Sequence, residues 1–141
     1  MAALAHSRAT LRLFGDDLVP EEITALLGAE PTRSTFRGQV NELTRAPKVW
    51  RTGSWRLEAP DADPANPDGQ IAEILDELTP DLEVWRALTA RFKVDLFCGW
   101  FMVEGNEGVS LSPDTLRALG ERGIRLEIDL YDGSGDEDDA A

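Results

Sequence analysis

Residues 94–131 read VDLFCGWFMV (94–103), EGNEG (104–108), VSLSPDTLRALGERG (109–123) and IRLEIDLY (124–131), a succession of strand, tight turn, short strand, helix and strand. The last piece is the plainest. Ile124, Leu126, Ile128 and Leu130 alternate with Arg125, Glu127, Asp129 and Tyr131. A period of two puts the aliphatic residues on one face, so the strand is expected to be buried on one side and wet on the other. In 94–103, Val94, Leu96, Cys98, Trp100 and Met102 share one face, and Phe97, Phe101 and Val103 share the other with Gly99 between. Two apolar faces predict a central strand covered on both sides for part of its length. Glu104 to Gly108 supplies hairpin-turn glycines. Ser112 caps a helix that has Pro113 and Asp114 in its first turn, with Leu116 and Leu119 facing the core and Gly120 or Gly123 as its stop.

Working outward toward the N-terminus, residues 1–8 are expected to fray, and Ala9 to Phe14 alternates as a first strand. Gly15-Asp16-Asp17 turns the chain. Pro20-Glu21-Glu22 opens a helix whose inner stripe is Ile23, Leu26 and Leu27, ended by Gly28. That helix echoes the later one: Leu18-x-Pro20-x-x-Ile23-x-Ala25-Leu26 matches Leu111-x-Pro113-x-x-Leu116-x-Ala118-Leu119. Residues 29–46 read as irregular. Lys48 to Arg51 and Ser54 to Leu57 flank Thr52-Gly53 with the spacing of a hairpin. After a polar, proline-rich loop (60–69), Ile71, Ile74, Leu75 and Leu78 recur at helical spacing, and Leu82, Trp85 and Leu88 continue as a second helix after Thr79-Pro80-Asp81. The pattern predicts helices at 20–27, 70–78, 81–91 and 113–120 on an antiparallel or mixed sheet, an α+β ferredoxin-like sandwich with helices mainly on one face. A single α+β domain is expected over 9–131. Residues 132–141, DGSGDEDDAA, have no strongly apolar residue and read as a disordered acidic tail.

The chain has 141 residues, enough for one domain with a real core. No run reaches membrane-spanning length, no apolar leader opens the chain, and one cysteine leaves no disulfide framework. These features point to a soluble cytoplasmic protein. A formal net charge of −13 argues against general affinity for nucleic acid or anionic membrane.

The order FGDDLVPEEITALLGAEPTRS, WRTGSWRLE, the leucine-rich central helix and LSPDTLRALGERGIRLEIDLY resembles the bacterial domain-of-unknown-function family 4279, over roughly residues 9–131. The resemblance implies a small α+β domain and brings no assigned activity, cofactor or catalytic residue. The family pattern usually has an acid before the proline of the first helix, where this chain has Val19.

Chemistry-bearing motifs are sparse. His6, the only histidine, falls in the expected frayed end. Cys98 falls in an apolar strand, where burial makes a thiol inert. There is no zinc spacing, phosphate-binding glycine loop or nucleophile elbow, and no cofactor is implied. Asp16 and Asp17 follow a strand end where a site can sit, though aspartates also serve such turns by bonding their own backbone. Asp95 and Asp129 are either an acidic pair on neighbouring strands or two solvated strand positions.

The distribution of charge is more informative. Residues 31–56 hold six basic residues against the single acid Glu42, a net +5; subtracting that from −13 leaves −18 on the rest. Either these cations neutralise the protein's own acids or they form a site for an acidic partner protein or small anion. Arginine grips carboxylate and phosphate bidentately, and an adjacent tryptophan adds stacking. Trp50-Arg51 and Trp55-Arg56 supply that pairing twice, so Arg51 and Arg56, with Trp50 or Trp55 exposed beside them, are the expected binding surface. Trp85 and Trp100 lie on core-facing patterns. Two functional classes follow: a non-enzymatic binding or interaction module, and a small-molecule or anion-binding domain with acid–base activity from Asp16 or Asp17.

Overall fold

A computed structural model describes residues 2–41 and 45–132. The elements in chain order are β1 (Ala2–Ala3), β2 (His6–Gly15), α1 (Pro20–Leu27), β3 (Arg33–Thr35), β4 (Val40–Asn41), β5 (Lys48–Val49), β6 (Gly53–Glu58), α2 (Pro67–Asp76), α3 (Leu82–Arg91), β7 (Lys93–Met102), β8 (Glu107–Gly108), α4 (Pro113–Arg122) and β9 (Arg125–Asp132).

Five strands form the main sheet in the order β3-β6-β2-β7-β9. All neighbours are antiparallel except β7 and β9, which run parallel through the α4 crossover. The first four strands have the connectivity of a ferredoxin-like sandwich, with β6 and β2 in the middle, and α4–β9 adds a fifth strand at one edge. The fold is therefore the expected α+β class with a mixed sheet.

One face of the sheet meets the helices. Ala9, Leu11 and Leu13 of β2, Trp55 and Leu57 of β6, and Val94, Leu96 and Cys98 of β7 are buried against it. Ile23 and Leu27 of α1, Ile71, Ile74 and Leu75 of α2, Trp85 and Leu88 of α3, and Leu119 of α4 close the core from the other side. Burying each such aliphatic side chain is worth about 1.5–3 kcal/mol, so this layer dominates the stability. The two fully buried indoles satisfy their N–H groups: Trp55 Nε1 donates to Thr24 Oγ1 at 3.1 Å and Trp85 Nε1 to the Thr79 carbonyl at 2.8 Å. Helix ends follow local chemistry. Asn66, Asp81 and Ser112 cap α2, α3 and α4 through their side chains, whereas Val19 has no side-chain cap bond for α1; Gly28 and Gly123 close α1 and α4 in the left-handed region.

Several expectations are corrected. The first strand begins at His6, not Ala9. Ser7 is buried and locked by Gln70, its hydroxyl donating to Oε1 at 2.7 Å while Gln70 Nε2 donates back to the Ser7 carbonyl at 3.0 Å. A polar side chain on the core side interrupts the apolar alternation, which is why the start was missed. Residues 48–57 are not a hairpin: β5 pairs with β4, and β6 inserts between β3 and β2. Strand β3 lies inside the stretch read as irregular, because a short polar edge strand needs no apolar alternation. The 104–108 turn does not fold β8 back on β7; β8 pairs in parallel with β1. Leu26, Leu82 and Leu116 are exposed rather than core-facing. The aliphatic face expected of the last strand is buried only at Ile124, just before β9; exposure then rises along β9, to 42% at Ile128 and 63% at Leu130. Asp132, expected in the tail, is the last residue of β9; the rest of that segment lies outside the described residues.

Candidate functional site

Among the described residues no helix lies on the second face of the sheet, yet β7 has the two-sided cover expected over part of its length, since Asp95 and Gly99 on this face are buried. Side chains from neighbouring strands cover it instead. Strand pairing places Arg33, Arg56, Arg12, Asp95 and Arg125 opposite one another in a single row across β3, β6, β2, β7 and β9. Adjacent strands lie about 4.8 Å apart, so the row sets three guanidinium groups side by side. Like charges directly opposite on a sheet are destabilising.

Two of these three arginines are neutralised. Arg12 forks onto Asp95, Nε to Oδ1 at 2.7 Å and Nη2 to Oδ2 at 2.9 Å, and lies over the Phe97 ring at 4.4 Å. Asp95 is 1% exposed and belongs to this pair, neither to an acidic dyad with Asp129 nor to solvent. Arg33 bonds Glu58 Oε1 at 2.5 Å. Arg56 lies over the Phe14 ring at 5.3 Å, and its guanidinium has no ion pair or hydrogen bond among the described residues. Partial burial first, then repulsion from Arg33 and Arg12, pulls its pKa below the ordinary arginine value.

Arg33 and Arg56 stand on the divide between two depressions. The larger, about 590 Å³, runs along β2 and β7 over Phe97 and Gly99. It ends at a cross-strand aromatic stack, with His6 and Phe101 centroids 4.8 Å apart and Phe101 and Tyr131 4.6 Å apart. Gly99 lies close under this stack: a Cβ there would stand 3.3 Å from the Phe101 ring, which would have to shift by a few tenths of an ångström. Arg8 and Asp61 pair on its rim at 2.9 Å. The second depression, about 570 Å³, lies toward the β4–β5 ribbon and is lined by Thr35, Gln39, Trp50 and Ser54 besides the two arginines.

The structure divides the residues singled out from sequence. Trp50 and Arg56 line one depression, and the Trp50 indole is half-buried there, with Lys48 Nζ 4.2 Å from its ring. Trp55 alternates to the opposite face and is fully buried, so it supplies no exposed ring. Trp50 also lines a third hollow, together with Arg51, Arg37 and Asp16. Asp16 and Asp17 are exposed in the β2–α1 turn, and neither lines the two depressions that Arg33 and Arg56 border. His6 lies in β2 with Asp61 Oδ2 3.6 Å from its Nε2, rather than in a frayed end. Sequence reading missed Arg8, Arg12 and the role of Arg33. The only available signal was the polar phase of β2, where Arg8, Thr10 and Arg12 fall on one face. Cys98 is buried, and its thiol is pushed up to about 11 by desolvation. Among the described residues no group of His, Cys, Asp or Glu is arranged to hold a metal ion, and no helix is long and apolar enough to cross a membrane.

Fold and surface together define an α+β domain with one helix-covered face and one open, arginine-lined face. The chain belongs to the family described as a domain of unknown function, DUF4279, whose model matches residues 5–133. No curated protein and no solved structure matches it.

Proposed function

We propose that this domain is a non-enzymatic binding module that holds an anionic group on the open face of its sheet, at Arg56 with Arg33 and Arg12 beside it. One observation carries the reading: three arginines stand in direct cross-strand register, and the middle one makes no ion pair or hydrogen bond among the described residues, with the nearby Glu58 and Asp95 bonded to its neighbours instead. Such a row costs stability in the free protein, and local rules are broken in this way where function requires it. A bound carboxylate or phosphate relieves the repulsion and accepts a bidentate bond from Arg56. The ligand is a small anion or an acidic side chain of a partner protein; the depressions favour the small anion, because concave sites of this size suit small molecules. Asp16 and Asp17 stand away from this cluster, which is why acid–base chemistry from them is not part of the reading. The single cysteine, buried in β7, fits a reducing compartment, and we read the module as cytoplasmic.

The test is thermal unfolding in rising inorganic phosphate, for the wild type and for Arg56→Ala. A ligand that binds only the native state raises Tm with its concentration. The wild type is expected to gain several degrees more than Arg56→Ala. Equal shifts in both proteins, or none, sink the proposal.

A further inference from the structure

The geometry points to a more particular ligand, resting on the anion-binding reading: a phosphodiester flanked by two planar bases, of dinucleotide size. Arg33 and Arg56 border both depressions, so an anion they hold sits between the two rather than at the end of either. Each depression offers flat surface. On one side Trp50 is half-exposed beside the hydroxyls of Thr35 and Ser54. On the other, the guanidinium of Arg12 lies over Phe97 and presents a planar cation; beyond it Phe101 is sandwiched between His6 and Tyr131, so Tyr131 is the ring of the stack left to line the depression with an open face. Indoles, phenyl rings and arginine planes are the surfaces on which nucleobases stack. A ligand with its charge in the middle and a flat group at each end fits this order. A dicarboxylate or acidic peptide satisfies the arginines and leaves both flat surfaces unused.

Size and charge argue for a short ligand over a long strand. Each depression is of small-molecule size, about 590 and 570 Å³. A chain of net charge −13 repels a polyanion at long range, whereas one or two phosphates meet only the local arginines.

The experiment titrates the full chain with adenylyl-adenosine, AMP, inorganic phosphate and a long oligoadenylate, following tryptophan fluorescence and calorimetric heat. Trp55 and Trp85 are fully buried and Trp100 is partly buried against the core, so the part of a quench that Trp50→Leu abolishes reports on Trp50. The dinucleotide is expected to bind at least about tenfold more tightly than phosphate or AMP, since each stacked base is worth about 1–3 kcal/mol. Arg56→Met is expected to lower its affinity about tenfold by removing a charge-assisted contact. Trp50→Leu lowers it comparably and removes the quench, while Arg86→Ala on α3 changes neither. Trp50→Leu also stands in should far-UV dichroism show Arg56→Met unfolded. Phosphate binding as tightly as the dinucleotide overturns this inference and leaves the anion site standing. AMP matching the dinucleotide refutes the two-sided arrangement, and an oligoadenylate that binds more tightly per site refutes the size limit. No response to any of the four overturns both readings.

Discussion

Replacing Arg12 by methionine isolates the ion pair on which the open face rests. The aliphatic stem is largely kept, and the guanidinium that lies over Phe97 is lost. Asp95 then remains 1% exposed with its bidentate partner gone. Removing one member of a buried pair costs about 3–5 kcal/mol, because the remaining charge is left unpaired in a poorly solvated place. The Arg12 side chain keeps 22% of its exposure, so water already reaches part of the pair and the low end applies, about 3 kcal/mol. In a domain of this length each kcal/mol lowers Tm by about 4 °C, which makes the expected loss roughly 10 °C. The assay is urea unfolding with a thermal scan alongside. The double variant Arg12→Met with Asp95→Leu supplies the second arm, since exchanging a whole buried pair for apolar residues is often close to neutral. It is expected to recover most of the loss. A single variant that loses less than about 1 kcal/mol behaves as a surface pair and refutes the argument, as does a double variant no more stable than the single one.

Three further outcomes follow from other parts of the molecule. Glu107 accepts the amides of Glu104, Val103 and Ala5; chiefly the Glu104 amide, against a smaller desolvation effect, holds its pKa below the ordinary 4.5. A lowered folded pKa gives stability that is present above the ordinary glutamate value and lost as pH falls through the folded one. The protection factor of the Ala5 amide, taken against the intrinsic exchange rate at each pH, should therefore fall on acidification below about 4.5 in the wild type, and Glu107→Gln should flatten that dependence. Cys98, with its thiol near 11, should resist a thiol-specific dye at neutral pH until the protein is unfolded, and a fast native reaction contradicts its burial. At Gly53 a Cβ would stand 2.6 Å from the Leu18 carbonyl oxygen, so Gly53→Ala should cost about 1–3 kcal/mol by urea unfolding, and an unchanged midpoint shows that the β2–α1 turn yields.

What the sequence determined by itself was local. Periodicity assigned α1 to its full extent and gave α2, α3, α4 and β7 to within a few residues, because a 3.6 or 2.0 repeat is written into neighbouring side chains. It also showed that the cations concentrate in residues 31–56 and that Trp50 and Arg56 were worth testing. The tertiary structure decided which groups meet. Arg12, Arg33 and Arg56 are far apart in the chain and share a row only through the β3–β6–β2 register. A one-residue slip would send Arg56 into the core and Trp55 to the surface, and nothing local fixes that choice. The exposed half of β9 has the same origin. Its alternation says which residues share a face, and only tertiary packing decides how many of them are covered.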